Sequence, residues 1–277
     1  MSLDQKTLVV RPRSAPVPAA QPSPRRTADP YVVQALRQRI RHMERSDRGK
    51  PSVLSFGIPS MDERLPDGGL ALGALHEVAG GELGAVHAAT AALFAAGILA
   101  RLAGTVLWCL RHPDLFAPAL AAAGLHPDRV IYLEAGDERG VLHAVEEGLR
   151  HGGLAGVVGE ISRLPMIASR RLQLAAETSG VPVLVLRRWQ ATETPIAFER
   201  PSAAMSRWRI TTLPSTSLPT IGIGRARWRV ELLRCRGSDP CSWDLEACDA
   251  QGRLAVHADL AHRPAEAAVG RLCAAIG

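Results

Sequence analysis

From residue 52 onward, short apolar runs alternate with longer stretches of helical period. Residues 75–78 (LHEV) predict a strand and 85–103 a long apolar helix. The run 105–110 (TVLWCL) predicts the next strand, followed by a helix over 113–123. A strand at 130–133 (VIYL) precedes a helix over 137–151. A strand at 155–158 (AGVV), a helix at 169–179 and a strand at 183–186 (VLVL) complete the series. Apolar strands separated by helices belong to a parallel sheet covered on both faces. The rhythm changes after residue 200. There 205–212, 225–234 and 243–247 predict strands with no helix between them. The expected fold class is therefore α/β, a mainly parallel sheet flanked by helices, with a C-terminal antiparallel extension.

The N-terminal part follows a different pattern. Residues 1–28 hold Pro12, Pro16, Pro18, Pro22 and Pro24 among Ala, Ser and Arg, which predicts a disordered basic tail. Asp29 can cap a helix and Pro30 suits its first turn. Val33, Leu36, Ile40 and Met43 then recur at helical spacing, with Arg37, Arg39, Arg41 and Arg45 on the other faces. A basic amphipathic helix is expected over 29–50. It either packs on its own domain with a solvated Arg face or docks on a partner. The expected globular core spans 52–260, with a C-terminal helix over 261–277.

Charge sharpens this division. Residues 1–50 hold 11 Lys or Arg against 4 Asp or Glu, while the remaining 227 residues are nearly neutral. A local basic region survives at 187–236, with 10 Arg and 3 Asp or Glu. Lys6 and Lys50 are the only lysines. The body therefore has no lysine for phosphate binding, a Schiff base or general-base work. The most apolar stretch, 85–103, carries His87 and Arg101, so no membrane span is expected. The N-terminus lacks an apolar signal core. The 5 scattered Cys, with no CxxC, point to reduced thiols in the cytoplasm and away from a zinc site.

Residues 75–90 (LHEVAGGELGAVHAAT) have the layout of a phosphate loop: strand, Gly-rich turn, helix. The turn holds Gly80, Gly81, Glu82 and Gly84. The motif G-x-x-x-x-G-K-[ST] is not met, because the outer glycines are one residue too close. Ala85 and Val86 stand where Lys and Ser/Thr belong, and Glu82 puts a negative charge inside the anion nest. No nucleotide hydrolysis, cofactor or metal is expected. His76–Glu77 is not the start of HExxH, because Gly80 occupies the second His position. No nucleophile–base arrangement is found.

Several long stretches carry a family resemblance. Residues 54–84 (LSFGIPSMDERLPDGGLALGALHEVAGGELG) resemble the entry into the RecA-type ATPase core. Together with 111–138, 146–164, 169–180 and 224–237, they resemble the ImuA family of damage-inducible mutagenesis proteins. The resemblance covers about residues 52–255. It implies a degenerate RecA-like core. The position of the loop lysine falls on Ala85, and Asp114 is the carboxylate nearest the place of the water-activating acid. The Mg²⁺-associated acid falls near Glu160, and the strand-end sensor falls on Arg187 or Arg188. The paired basic residues that reach a neighbour's nucleotide resemble Arg234 and Arg236.

For function, the resemblance implies a non-catalytic adaptor in SOS-induced mutagenic translesion synthesis. Its partners would be an ImuB-like inactive lesion-bypass polymerase homologue and an error-prone replicative-type DNA polymerase, with DNA contacted indirectly. The competing expectations are a nucleotide-binding ATPase assembling on DNA and a cell-division inhibitor.

The body also repeats an Arg–Trp pattern at Arg188–Trp189, Arg207–Trp208–Arg209 and Arg227–Trp228–Arg229. Strand alternation puts Arg207 and Arg209 on one face with Trp208 opposite, and Arg227 and Arg229 likewise around Trp228. The pattern describes either core tryptophans beneath a solvated arginine stripe or an arginine ladder for DNA phosphates or an acidic partner. The binding candidates are Arg37, Arg41, Arg45, Arg187, Arg188, Arg207, Arg209, Arg227, Arg229, Arg234 and Arg236.

Overall fold

The structure, a computed structural model, describes residues 52–81, 85–188, 200–215 and 224–256. The tail and helix expected over 1–50, the helix expected over 261–277, and Glu82, Gly84, Arg37, Arg41 and Arg45 lie outside these residues.

The chain opens with β1 (Val53–Leu54), α1 (Pro59–Asp62) and β2 (Leu70–Ala71). β1 and β2 form a small antiparallel pair. The βα alternation then begins with β3 (Leu75–Gly80) and α2 (Ala85–Ala100). β4 (Val106–Leu110), α3 (Ala117–Ala122) and β5 (Val130–Glu134) follow. Next come α4 (Glu138–His151), β6 (Gly156–Ile161), α5 (Met166–Ser179) and β7 (Val183–Arg187). β8 (Ser206–Leu213), β9 (Arg227–Cys235), β10 (Cys241–Glu246) and β11 (Ala255–Val256) complete the described elements.

A nine-stranded sheet has the order β11-β10-β9-β8-β3-β7-β6-β4-β5. Its β8 to β5 portion is parallel, and β9, β10 and β11 extend it antiparallel. β8 thus runs alongside β3, so the first strand after residue 200 belongs to the parallel part. The β3, β4, β6 and β7 strands are buried along their whole length.

Two cores lie on the two faces. On one, Ala-rich α2, a strong helix former, sets Phe94 and Leu99 against Trp108, Trp208 and Trp228. The Phe94 and Trp208 rings are 5.8 Å apart. The guanidinium of Arg129 donates to the carbonyls of Ala100 at 3.0 Å and Leu99 at 3.3 Å, satisfying acceptors that the end of α2 leaves open. On the other face, α4 and α5 pack Val141, Val145, Leu149, Leu172 and Ala176 on the sheet. Asp137 caps α4 by accepting from Gly140 N at 2.7 Å. Gly152 (φ 69°) and Gly180 (φ 75°) end α4 and α5 in the left-handed conformation that favours glycine.

Two expectations are corrected. The helix expected over 113–123 shortens to Ala117–Ala122. Phe116 is extended and Pro118 sits in the first turn, so residues 111–116 are left as a loop over the strand ends. β5 is not covered on both faces. It is the sheet's edge, and residues 131–134 are exposed.

The entry to the fold turns on Asp62. Its carboxylate accepts from Phe56 N at 2.7 Å, Gly57 N at 2.9 Å and Ser55 Oγ at 2.7 Å. Asp62→Ala leaves these donors to water and is expected to cost about 1–2 kcal/mol, read as a shift in urea midpoint at constant slope.

Candidate functional site

The described parts of the loop predicted for phosphate lie against neighbouring elements. Gly80 is the last residue of β3, and a Cβ there would meet the backbone of His87 in α2 at 2.4 Å. The N–H of Gly81 donates to Ile210 O of β8 at 2.8 Å, and a Cβ on Gly81 would meet Thr211 Oγ1 at 1.9 Å. The turn therefore leaves β3 pressed against β8 and α2. Ala85 opens α2, and the side chain of Val86 is exposed.

A polar crevice of about 280 Å³ lies at the C-terminal ends of β4, β6 and β7. Its walls include Arg111, Asp114, Glu138, Glu160, Ser162 and Arg188. Glu160 is buried at the end of β6 and accepts from Trp108 Nε1 of β4 at 2.8 Å. Arg188, just past β7, donates to Asp114 and lies 3.3 Å from Glu160 through its Nε. Its own N–H donates to Ile161 O at 2.9 Å, which holds the residue beside β6. Burial pushes the Glu160 carboxyl above the usual carboxylate range. Arg188 and the Trp108 hydrogen bond oppose that shift, while the charge of Asp114 adds to it. Arg111 lines the crevice with its Nε buried and without a hydrogen-bond partner.

This donor set does not fit a magnesium nucleotide. Asp114 and Glu160 have a guanidinium between them, and no lysine follows Lys50. Among the described residues, no group of three or more His, Cys, Asp or Glu could hold a metal ion.

A second ion cluster lies deeper. Glu77 of β3 is fully buried. It accepts from Arg187 Nη1 at 2.9 Å and Arg207 Nη2 at 2.9 Å, and also from Ser202 Oγ. Arg187 further donates to Ser162 O from Nε at 3.0 Å and Nη2 at 2.7 Å, and Arg207 donates to Arg200 O at 2.9 Å. Arg187 and Arg207 are only 5% and 6% exposed, so neither can serve as a surface contact for DNA or a partner.

The other arginines are largely engaged as well. Arg209 makes a two-pronged contact with Glu231, both bonds at 2.7 Å. Arg229 does the same with Asp244 at 2.8 and 3.0 Å, and this hydrogen bonding holds the Asp244 carboxyl below its ordinary range. Arg227 sits beside them with its Nε buried and unsatisfied. Arg234 donates to Ser202 O at 3.0 Å and Arg236 to Ala203 O at 2.6 Å.

The stripe around Trp208 and Trp228 therefore keeps the expected alternation, but its arginines serve mainly as internal ties and cross-strand pairs. Sequence reasoning missed Glu77 and Ser202. It weighed His76–Glu77 only as the start of a metal motif, whereas both residues are buried.

Comparison with known proteins places this architecture. No family model matches the chain. The chain is 43% identical over 217 residues to Protein ImuA of Caulobacter vibrioides (strain NA1000 / CB15N), covering 75% of this chain and 88% of the relative. The same figures hold for Protein ImuA of Caulobacter vibrioides (strain ATCC 19089 / CIP 103742 / CB 15). The chain belongs to the ImuA family. Its fold is RecA-like: the crystal structure of the RadB recombinase matches with a TM-score of 0.52 at 19% identity, covering 74% of this chain and 100% of RadB. In this member of the ImuA family, then, the polar residues at the strand ends of a RecA-like sheet are bound mostly to one another. No helix among the described residues is long and apolar enough to cross a membrane.

Proposed function

We propose that the protein is a non-catalytic, cytoplasmic RecA-like adaptor in SOS-induced mutagenic translesion DNA synthesis. It binds an ImuB-like inactive lesion-bypass polymerase homologue and supports an error-prone replicative-type polymerase at damaged DNA, touching DNA indirectly. ImuA family membership supports the pathway. The mismatch between the crevice and a magnesium nucleotide supports the loss of hydrolysis.

The single observation that carries the adaptor reading is the surface of β5. Ile131, Tyr132 and Leu133 are 53%, 38% and 36% exposed on an edge strand that pairs with β4 alone among the described strands. Its outer edge, which pairs with no other described strand and carries large apolar side chains, offers a template on which an extended partner segment adds as a further strand. Main-chain hydrogen bonds supply affinity there, and the alternating side chains supply register. The arginine stripe, being paired internally, contributes less.

The test is co-purification with the ImuB-like partner. Ile131→Lys with Leu133→Lys places two charges on the docking edge while leaving the core intact. The account expects retention by the wild type and about a tenfold or greater loss of affinity for the double variant, with an unchanged thermal midpoint. Equal retention of both proteins would remove β5 as the docking surface. Absence of a complex with the wild type would remove the adaptor reading.

A further inference from the structure

In open α/β sheets, ligands bind beyond the carboxyl ends of neighbouring strands whose connections leave to opposite faces. The crevice meets that description. β4 leads to α3, whose Leu120 joins the core around Phe94, and β6 leads to α5, whose Leu172 joins the core on the other face. Nucleotide-hydrolysing proteins of related architecture hold a divalent ion there with acidic side chains. The acids are present here, and so is a cation from the chain itself.

A buried carboxylate such as Glu160 carries a large desolvation cost unless it is paired. Trp108 satisfies one lone pair, and the remaining counter-charge comes from Arg188, which also holds Asp114. The planar guanidinium is suited to this, since it can donate to two carboxylates from one fixed plane.

We propose that Arg188 is the permanent counter-ion of Asp114 and Glu160 in this crevice, whose wall Arg111 shares. It stands between Asp114 and Glu160 in place of a hydrated divalent ion, and it ties the ends of β4, β6 and β7 together without any ligand. The proposal rests on the non-catalytic reading above. It adds that the strand ends are tied by the chain's own side chain at the place where nucleotide-hydrolysing proteins of related architecture bind a metal.

The test is a set of thermal melts on the full chain: wild type, Arg188→Gln, Glu160→Gln and the double variant, each with and without ATP and magnesium. Arg188→Gln is expected to melt about 5 °C lower. The double variant should recover most of that loss, because a neutral amide at position 160 needs no counter-charge. Magnesium and ATP should move neither the wild type nor any variant. Arg188→Lys, which keeps the charge and loses the fork, should fall between wild type and Arg188→Gln, and it stands in if Arg188→Gln fails to fold. The proposal is overturned by a wild-type midpoint in Arg188→Gln, by a double variant no better than that single one, by Arg188→Lys matching Arg188→Gln, or by stabilisation of the wild type with magnesium and ATP. Failure of the partner to co-purify would leave these melts unchanged, so the two readings fail separately.

Discussion

Glu77→Gln is expected to lower the unfolding free energy by about 3–5 kcal/mol. The amide keeps the shape of the side chain and removes the charge to which Arg187 and Arg207 both donate. Both guanidiniums are buried, and removing a counter-charge from buried charged groups is among the costliest changes a core can suffer. The cluster also holds two distant pieces of chain. Arg187 closes β7, and Ser202 precedes β8. Both reach the same carboxylate on β3. A fall of about 10 °C in thermal midpoint is expected for a body of this size. A change below about 1 kcal/mol would mean that the cluster is no stronger than a surface ion pair.

The second large effect depends on pH. His76 is fully buried, with Nε2 2.8 Å from Ala71 O and Nδ1 2.6 Å from Ser206 Oγ. A carbonyl can only accept, so Nε2 carries the proton and Nδ1 accepts from Ser206. Ser206 Oγ in turn accepts from Trp208 Nε1 at 2.7 Å. The network suits a neutral ring, and burial lowers the pKa from 6.5 to about 4. The unfolded chain therefore binds a proton at a pH where the folded one does not. The stabilisation is complete above pH 6.5 and shrinks as pH falls from 6.5 towards 4. The loss across this window should be about 3 kcal/mol. Urea unfolding of wild type and His76→Gln between pH 7.5 and 4 measures it. The wild type should lose about 3 kcal/mol more than the variant over that range. Parallel curves would contradict a neutral buried histidine.

Much of the architecture was legible because burial on both faces leaves a plain signature. β4, β6 and β7 read as apolar runs because they are buried throughout, and α2 reads as a long Ala-rich helix because residues 90–99 are almost all buried. Edge position left no comparable mark on β5. Its VIYL run looks like a covered strand, and only the order of the sheet exposes it.

The arginines show the other limit. Alternation around Trp208 set the faces correctly, but the partners come from far along the chain. Glu77 lies 130 residues from Arg207, and only the pairing of β3 with β8 sets them directly opposite. A charge run in sequence therefore looked free when its counter-charges sat on neighbouring strands. Ser169 shows the same effect at smaller scale. The helix expected from residue 169 begins earlier, at Met166, and Ser169 Oγ accepts from Ala203 N at 3.0 Å. The departure from the phosphate-loop motif is read from residue identity alone: no Lys at position 85 and no hydroxyl at 86.

Steady-state ATP hydrolysis by the purified protein, with and without single-stranded DNA, tests the central claim most directly. The proposed adaptor, whose body has no lysine and whose crevice carboxylates are paired with Arg188, should turn over ATP no faster than a buffer control, and DNA should not change that. Hydrolysis clearly above the control, accelerated by DNA and abolished by removing magnesium, would show that the motor survives.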